Sequence, residues 1–196
     1  FTGFRFIAEV IRALEERGYT CLLGFEESYG YLIGSHCRDK DAVTASVMIA
    51  EMAAYYEKKG MTLYDALESL YEKYGYFGEY TLNIKMPGLD GIARMGEMMA
   101  SLRANPPESI GGVRVEAVRD YKTGVRRTAD GNETQLPLGP SNVLYFEMED
   151  KNSFVIRPSG TEPKVKIYIL ARGGSREEIG AKLDLYKKAA DELIKK

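Results

Sequence analysis

One short segment of the chain, residues 157–164 with the sequence RPSGTEPK, combines several groups that can bind phosphate. Arg157 offers a planar set of donors, and Ser159 and Thr161 offer hydroxyl groups. Gly160 lies between the two hydroxyl residues and allows the backbone to bend, so that successive amide groups can point at one anion. The combination favours a phosphate-binding loop.

Two lysines follow this loop at strand spacing. Lys164 and Lys166 are separated by one residue, so in a strand both side chains lie on the same face and either can add a cation to the loop. Pro, Ser and Gly are also common in ordinary turns. A polar hairpin turn without a ligand is therefore the alternative interpretation.

A second segment, residues 24–43 with the sequence GFEESYGYLIGSHCRDKDAV, is a candidate sugar-binding loop. Glu26 and Ser28 are separated by one residue, which in an extended loop directs both side chains to the same side. This pair suits hydrogen bonding to neighbouring sugar hydroxyls. Tyr29 and Tyr31 could line the same pocket.

The charged run from Arg38 to Asp41 comes directly before a predicted helix. Asp41 can be the N-cap of that helix, and the other charges can be a solvated run without a ligand. Charged loops before helices are common, so the residues alone leave the functional and the structural interpretation open.

The composition excludes several classes of protein. A net charge of -2 gives no general attraction to nucleic acid or to an anionic membrane surface, and no stretch is long and apolar enough for a membrane span. No signal-peptide layout is present, so we expect a cytoplasmic protein with reduced thiols at Cys21 and Cys37. His36 and Cys37 would supply only two ligands, whereas a zinc site usually needs three or four protein ligands, so no metal ligand is expected.

The first part of the chain reads as an incomplete α/β unit. Apolar residues at helical spacing from Ile7 to Leu14 predict a helix, and 19–23 predict a strand. Two further helices are predicted at 41–59 and 62–74. This unit lacks the strands that it would need to stand alone, so we expect a truncated domain from a longer chain.

The second part is predicted to be an α+β domain with an antiparallel sheet of about four strands packed against two helices. We interpret residues 76–91 as a linker, with the boundary near Pro87, and residues 122–141 as a long surface loop or an irregular hairpin. Asp150 to Asn152 predict the turn of a hairpin. The four strand-like runs are 113–118, 143–148, 154–157 and 165–170, and the helices cover 95–102 and the residues after the capping box at Ser175.

Three motifs together resemble a known family. GFEESYG with RDKD is similar to the sugar-binding loop and its sequel in the third domain of α-D-phosphohexomutases of the phosphoglucomutase/phosphomannomutase kind. RPSGTEPK is similar to the phosphate-binding loop of their fourth domain, and FTGFRFI is similar to the TGFKFIG-type segment that precedes the sugar loop. The motifs occur in the family order and span almost the whole chain.

This resemblance implies a four-domain enzyme of which the chain carries two parts. Residues 1–86 would be the later part of the third domain, and residues 87–196 the fourth domain. The family's serine segment, TASHNP-like, and its magnesium segment, DGDGDR-like, do not occur in this sequence. The missing N-terminal domains would therefore supply the serine and the metal site.

The implied reaction interconverts hexose 1-phosphate and hexose 6-phosphate through a phosphoserine enzyme and a bisphosphate intermediate. Glucose is the first expected sugar and mannose the alternative, with Mg²⁺ and glucose 1,6-bisphosphate required by the parent enzyme. The chain alone is expected to be inactive. By resemblance, the residues that hold the phosphate are Arg157, Ser159, Gly160, Thr161 and Lys166.

The same resemblance assigns roles to the first segment. Glu26 and Ser28 would bind the C3 and C4 hydroxyls of the sugar, and Lys40 would assist proton transfer or act only as an electrostatic contact. Related enzymes with a GEMSGH loop carry His where this chain has Gly30. The further residues that the resemblance places at the sugar are Thr2, Gly3 and Arg38. A stand-alone, non-catalytic phosphosugar-binding module is the alternative function.

Overall fold

The computed structural model describes residues 3–26, 29–137, 139–160 and 162–195. The chain divides into two compact units, 1–70 and 71–196. Across the part of the chain that the structure describes, every helix is too short or too polar to cross a membrane.

The first unit combines three helices with a two-stranded antiparallel hairpin. Its elements are α1 (Phe4–Glu15), β1 (Leu23–Glu26), β2 (Gly30–Ile33), α2 (Ala42–Glu57) and α3 (Leu63–Tyr74), the last of which continues across the division into the second unit. The strand predicted at 19–23 is found a few residues later. Its paired residues begin at Leu23, and Leu22 before them is 78% exposed. Phe4, Ile11 and Leu32 form the small core.

Helix α2 is apolar on every side and mostly exposed. Of its residues only Ala45 is buried, whereas Val43 is 73% exposed and Ile49 51% exposed. A helix that is apolar all round is normally covered by other protein. The first unit therefore leaves uncovered an apolar surface that a complete α/β layer would bury.

The second unit is built on one antiparallel sheet. Eight strands are present in the described residues, in the order β3-β10-β9-β8-β5-β6-β7, with β4 paired to β5. The strands are β3 (Tyr76–Lys85), β4 (Ser109–Ile110), β5 (Val113–Asp120), β6 (Val125–Thr128), β7 (Glu133–Gln135), β8 (Leu144–Met148), β9 (Ser153–Pro158) and β10 (Lys164–Gly173), and the helices are α4 (Gly91–Ala104) and α5 (Arg176–Lys195).

The prediction of an antiparallel sheet packed with helices is confirmed, but the predicted number of strands, about four, was too low. Residues 122–141 were interpreted as a long surface loop or an irregular hairpin; the hairpin is present, because β6 pairs with β7, and it extends the sheet from β5. Residues 76–91 were interpreted as a linker, whereas the whole of β3 pairs with β10 over ten residues. Strands β6 and β7 are mostly polar and lack the apolar run by which strands were recognised. Strand β3 has a strand-like run between glycines and Pro87, but its partner lies far away in sequence.

The pairing of β3 also affects the division of the chain. The sequence placed a boundary near Pro87, between 1–86 and 87–196, but the compact units divide between Leu70 and Tyr71. The reason is that β3 lies on the N-terminal side of Pro87 and forms its ladder with β10.

Helices α4 and α5 pack on one face of the sheet. Alternate residues of the central strands point into this core, among them Phe146, Phe154 and Ile167, each fully buried. Tyr186 of α5 is also fully buried, and its hydroxyl donates to both carboxylate oxygens of Asp150 at 3.2 Å. The last helix is thereby tied to the turn between β8 and β9.

That turn confirms the predicted hairpin at Asp150 to Asn152. Lys151 has φ of 64°, and the buried Asn152 donates from Nδ2 to Asp150 Oδ2 at 2.6 Å. Asn152 Oδ1 accepts from the backbone amide of Arg172 at 2.9 Å. The turn therefore binds β10 as well as α5.

Replacing Tyr186 with Phe tests this tie. We expect Tyr186→Phe to lower the free energy of unfolding of the second unit by about 1–2 kcal/mol, because the Asp150 carboxylate loses a buried donor. Urea unfolding followed by fluorescence or circular dichroism measures the change. Tyr80→Phe is the matched control, since Tyr80 is 42% exposed, and equal losses in the two variants would contradict the assignment.

A second prediction concerns the open face of the sheet, where Glu147 accepts from Arg126 at 2.8 and 2.9 Å and from Arg119 at 2.5 Å. The hydrogen bonds from Arg126, with those from Arg119, lower the pKa of Glu147 from 4.5 to about 2 against the opposing effect of burial. A lowered carboxyl pKa stabilises the fold above the unfolded value, and this stabilisation is lost as the pH falls from 4.5 toward 2.

We therefore expect the free energy of unfolding to fall between pH 5 and pH 2, with about 1–2 kcal/mol of that loss due to Glu147 after allowance for solvent. In Glu147→Gln this part of the pH dependence disappears. Urea unfolding at a series of pH values measures it, with Glu133→Gln as the control for a more exposed ion pair. An unchanged pH profile in Glu147→Gln would refute the assignment.

Candidate functional site

The predicted phosphate-binding loop is the turn that joins β9 to β10. The amide of Ser159 donates to the carbonyl of Lys164 at 2.8 Å, and the amide of Lys164 donates to the carbonyl of Glu162 at 2.7 Å. The amide of Glu162 donates to Ser159 Oγ at 3.3 Å. These bonds close a compact turn, and Thr161 within it lies outside the described residues.

Arg157 and Lys166 are brought to the same point on the sheet. They are directly opposite each other in the β9–β10 ladder, and the neighbouring pair of Ile156 and Ile167 is fully buried. Because successive side chains alternate between faces, Arg157 and Lys166 point to the face opposite the helices. The structure thus joins two of the predicted phosphate ligands on the open face.

Gly160 is exposed at the tip of the turn. A Cβ built on it would meet no atom within 4 Å, and its φ lies outside the left-handed range. The conformation therefore does not require glycine here. The open space above the backbone fits the approach of a ligand.

Strand β3 adds a lysine that the sequence analysis missed. Lys85 lies directly opposite Lys164, and Asn83 lies directly opposite Lys166 in the β3–β10 ladder. We call Lys85, Lys164 and Lys166 the lysine cluster. No local signal identifies Lys85 as a member, because its partner lies far away in sequence and β3 was interpreted as a linker.

Glu162 is the acidic group of this cluster. Its Oε2 lies 2.5 Å from Lys164 Nζ, and the Glu162 side chain is 59% exposed. The hydrogen bond and the charge of Lys164, with the more distant charges of Lys166 and Lys85, hold the pKa of Glu162 below its ordinary value. The carboxylate is therefore ionised at neutral pH.

The predicted sugar-binding loop connects β1 to β2. Glu26 is the last residue of β1 and lies opposite Gly30, the first residue of β2. Ser28 and Thr2, both predicted to contact the sugar, lie outside the described residues. Gly3 has φ of 125° and is the N-cap of α1.

The side chain of Lys40 crosses Gly30. A Cβ at Gly30 would lie 2.3 Å from Lys40 Cδ and 3.3 Å from Glu26 Oε2. Lys40 Nζ lies 5.5 Å from the centre of the Phe4 ring. A side chain at position 30 and the observed position of Lys40 exclude each other, which gives a physical reason for Gly where related enzymes carry His.

Lys40 is held as a cation. Its Nζ donates to Asp39 Oδ1 at 2.9 Å, and this hydrogen bond raises the pKa of Lys40, with smaller contributions from the charges of Asp39 and Glu26 against desolvation. A raised pKa suits a fixed positive charge. It does not suit a general base at neutral pH.

Arg38 pairs with α1. Its Nη2 donates to Glu15 Oε2 at 2.5 Å and its Nη1 to Glu15 Oε1 at 3.3 Å. This forked pair positions the loop before α2 against the first helix. Its predicted sugar contact stays a prediction.

The rest of the charged run has a structural role. Asp41 is the N-cap of α2, accepting from the amides of Val43 at 2.8 Å and Thr44 at 3.3 Å, as the alternative interpretation expected. His36 Nε2 lies 2.7 Å from Asp41 Oδ2, and this bond lowers the pKa of Asp41. Among the described residues, no group of three or more His, Cys, Asp and Glu side chains is placed to share a metal ion.

A cleft of about 1110 Å³ lies elsewhere in the second unit. It is bordered by α4, β5 and β6, and at its wall Arg103 donates to Asp120 at 3.0 Å and to Asn142 at 2.5 Å. No site residue predicted from the sequence lines it.

Comparisons with known proteins find similar proteins of one kind. The model of the phosphoglucomutase/phosphomannomutase α/β/α domain III matches residues 1–74. Two phosphoglucomutases from strains of Staphylococcus aureus are 34% identical over 183 residues and 35% identical over 184 residues, in each case over 93% of this chain and 33% of the relative. The chain thus spans about a third of the length of these relatives.

A solved structure shares the fold. The open form of an exocytosis-sensitive phosphoprotein, parafusin (phosphoglucomutase), from Paramecium matches 97% of this chain and 33% of its own length, with a TM-score of 0.62 and 18% identity. The domain III match and the Staphylococcus aureus relatives, with this likeness in fold, support a place for the chain in the α-D-phosphohexomutase superfamily, of the phosphoglucomutase/phosphomannomutase kind.

Proposed function

We propose that this chain is the substrate-binding C-terminal portion of a phosphohexomutase that interconverts hexose 1-phosphate and hexose 6-phosphate. Glucose is the favoured sugar, because the relatives of known name are phosphoglucomutases. The observation that carries the proposal is the β9–β10 turn, which holds Arg157 and Lys166 directly opposite each other on the open face of the sheet. A cytoplasmic location is part of the same proposal.

The β9–β10 turn would hold the phosphate that is not reacting. Phosphoryl transfer depends on positioning and on neutralising charge more than on covalent help from the protein. Arg157 supplies a fork of donors, Lys166 supplies a point charge, and the open backbone at Gly160 leaves room for an oxygen to approach. Ser159 and Thr161 would add their hydroxyls.

The β1–β2 loop would bind the sugar. Glu26 with Ser28 suits the C3 and C4 hydroxyls, which keep equivalent positions when the bisphosphate turns over. Such contacts do not touch C2, where glucose and mannose differ. Mannose is therefore accepted by these two residues as well as glucose.

Lys40 would act as a positive charge beside the sugar. Its raised pKa keeps it protonated, so it can neutralise an oxyanion. The Asp39 hydrogen bond fixes its position across Gly30.

The nucleophilic serine and the magnesium ion of the family would be supplied by other parts of a longer polypeptide. Magnesium would neutralise charge on the transferring phosphoryl group. Among the described residues no three His, Cys, Asp or Glu side chains converge, and the family's DGDGDR-like segment does not occur in the sequence, so the proposal assigns no residue of this chain to magnesium. The proposed contribution of this chain is binding and orientation.

Removing Arg157 tests the proposal. We expect Arg157→Ala to weaken binding of glucose 1,6-bisphosphate at least about tenfold, because a charge-assisted hydrogen bond contributes about 1.5–3 kcal/mol. An NMR titration of the full chain suits the weak binding that is expected from two loops alone. Arg127→Ala is the control, since Arg127 is an exposed arginine of the same sheet, paired with Glu133. Equal affinities of Arg157→Ala and the unsubstituted chain would refute the proposal.

Substituting Gly30 tests the position of Lys40. The new methyl group would displace the Lys40 stem, so Gly30→Ala and Lys40→Ala should weaken binding of glucose 1-phosphate alike, by up to about fivefold for an exposed charge. Binding of inorganic phosphate, which depends on the other loop, should not change. The control is Gly96→Ala, where a Cβ meets no atom within 4 Å. Full affinity in Gly30→Ala with reduced affinity in Lys40→Ala would contradict the steric argument.

A further inference from the structure

The beginning of β10 carries two like-charged cross-strand pairs, one with β3 and one with β9. Lys85 lies directly opposite Lys164, and Arg157 lies directly opposite Lys166. Directly opposite side chains have Cβ atoms about 5 Å apart, and like charges at that separation destabilise a sheet. All four residues belong to the same face, because Lys164 and Lys166 alternate with the buried Val165.

Such an arrangement is stable when an anion lies among the cations. Within the described residues, the carboxylate of Glu162 takes this place, with Oε2 at 2.5 Å from Lys164 Nζ. Among the described residues, this carboxylate carries one negative charge against the three positive charges of the lysine cluster. The site therefore keeps an excess of positive charge.

We propose that Glu162 is a resident counter-anion which a phosphate group displaces when it binds, and that Lys85 is a further phosphate-positioning residue. The proposal rests on the proposed function, because it assigns the occupant of the same loop. It adds a residue from a strand outside the RPSGTEPK motif and a reason for the acidic residue inside it.

Three features of Glu162 suit this exchange. Its side chain is 59% exposed, so it can rotate into solvent without breaking a packed core. Its contact with Lys164 is an exposed ion pair, and such pairs are weak and screened by salt. A phosphate dianion carries twice the charge of the carboxylate and offers more acceptor oxygens, so it competes favourably for the same lysines.

The pKa of Glu162 agrees with this position. The hydrogen bond from Lys164 lowers it most, and the charges of Lys164, Lys166 and Lys85 lower it further. Lys85 is thus within electrostatic range of the point that the carboxylate occupies. An anion at that point would be attracted by all three lysines.

The experiment compares phosphate binding in the full chain and its variants, with inorganic phosphate as the probe in an NMR titration at fixed ionic strength. We expect Glu162→Gln to raise the affinity about two- to fivefold, because the competing carboxylate is removed. Lys85→Gln should lower the affinity by a similar factor. The matched controls are Glu133→Gln, which removes an exposed acid with an arginine partner, and Lys151→Gln, which removes an exposed lysine paired with Glu116.

A thermal unfolding measurement separates exchange from a merely structural role. Without phosphate, Glu162→Gln should lower the melting temperature, because the cations lose their counter-anion, and added phosphate should restore it by a larger shift than in the unsubstituted chain. If Glu162 only shapes the turn, the variant will lose both stability and phosphate affinity, and phosphate will not restore the loss. That result, or unchanged affinity in Glu162→Gln or Lys85→Gln, would overturn the inference.

Failure of this inference is distinguishable from failure of the proposed function. If Arg157→Ala weakens phosphate binding while Glu162→Gln does not strengthen it, the loop binds phosphate and only the exchange is wrong. If the unsubstituted chain and Arg157→Ala bind phosphate equally, or neither binds it, the phosphate-binding function itself is wrong and the exchange is refuted with it.

Discussion

The pairing of β3 with β10 is the constraint on which the rest of the second unit depends. This ladder runs over ten residues and joins the start of the unit to the strand that follows the phosphate loop. It moves the division between compact units to Leu70 and Tyr71, and it places Lys85 and Asn83 beside the loop. The core and the candidate site share this ladder, since its alternate residues face the helices on one side and the ligand face on the other.

The candidate site shows how a sheet can gather charge that a loop alone cannot. Within a short segment such as residues 157–164, few cationic side chains can reach one point without crowding. Cross-strand neighbours solve this by bringing Arg157, Lys166 and Lys85 from three strands to one end of the sheet. In the first unit, close packing of charged side chains depends on a glycine. Gly30 has no side chain, so the side chain of Lys40 can lie beside Glu26.

Local signals allowed the sequence to predict much of this arrangement. The cap at Asp41, the turn at Asp150 to Asn152 and the capping box at Ser175 each depend on residues close together in the chain. Strands β6 and β7 form a local hairpin, but their residues are mostly polar and lack an apolar run. Strand β3 pairs with β10, which lies far away in sequence, so its own residues do not reveal its partner. For the same reason the sequence predicted Lys166 but not Lys85. The family resemblance, in contrast, depends on motif order, and the domain III match and the Staphylococcus aureus relatives support it.

The ladder between β3 and β10 also sets the order in which this unit can be completed during translation. Ribosomes synthesise β3 first among the strands of the sheet, yet its partner β10 is the last of them to be made. Until then the backbone of a ten-residue strand has no partner from this ladder, while the β8–β9 hairpin can already form from adjacent residues. Long-range pairings of this kind slow folding and leave an edge open to other chains. In a nascent chain of this protein, the ladder edge of β3 therefore stays without its β10 partner until the last strand of the sheet has been made.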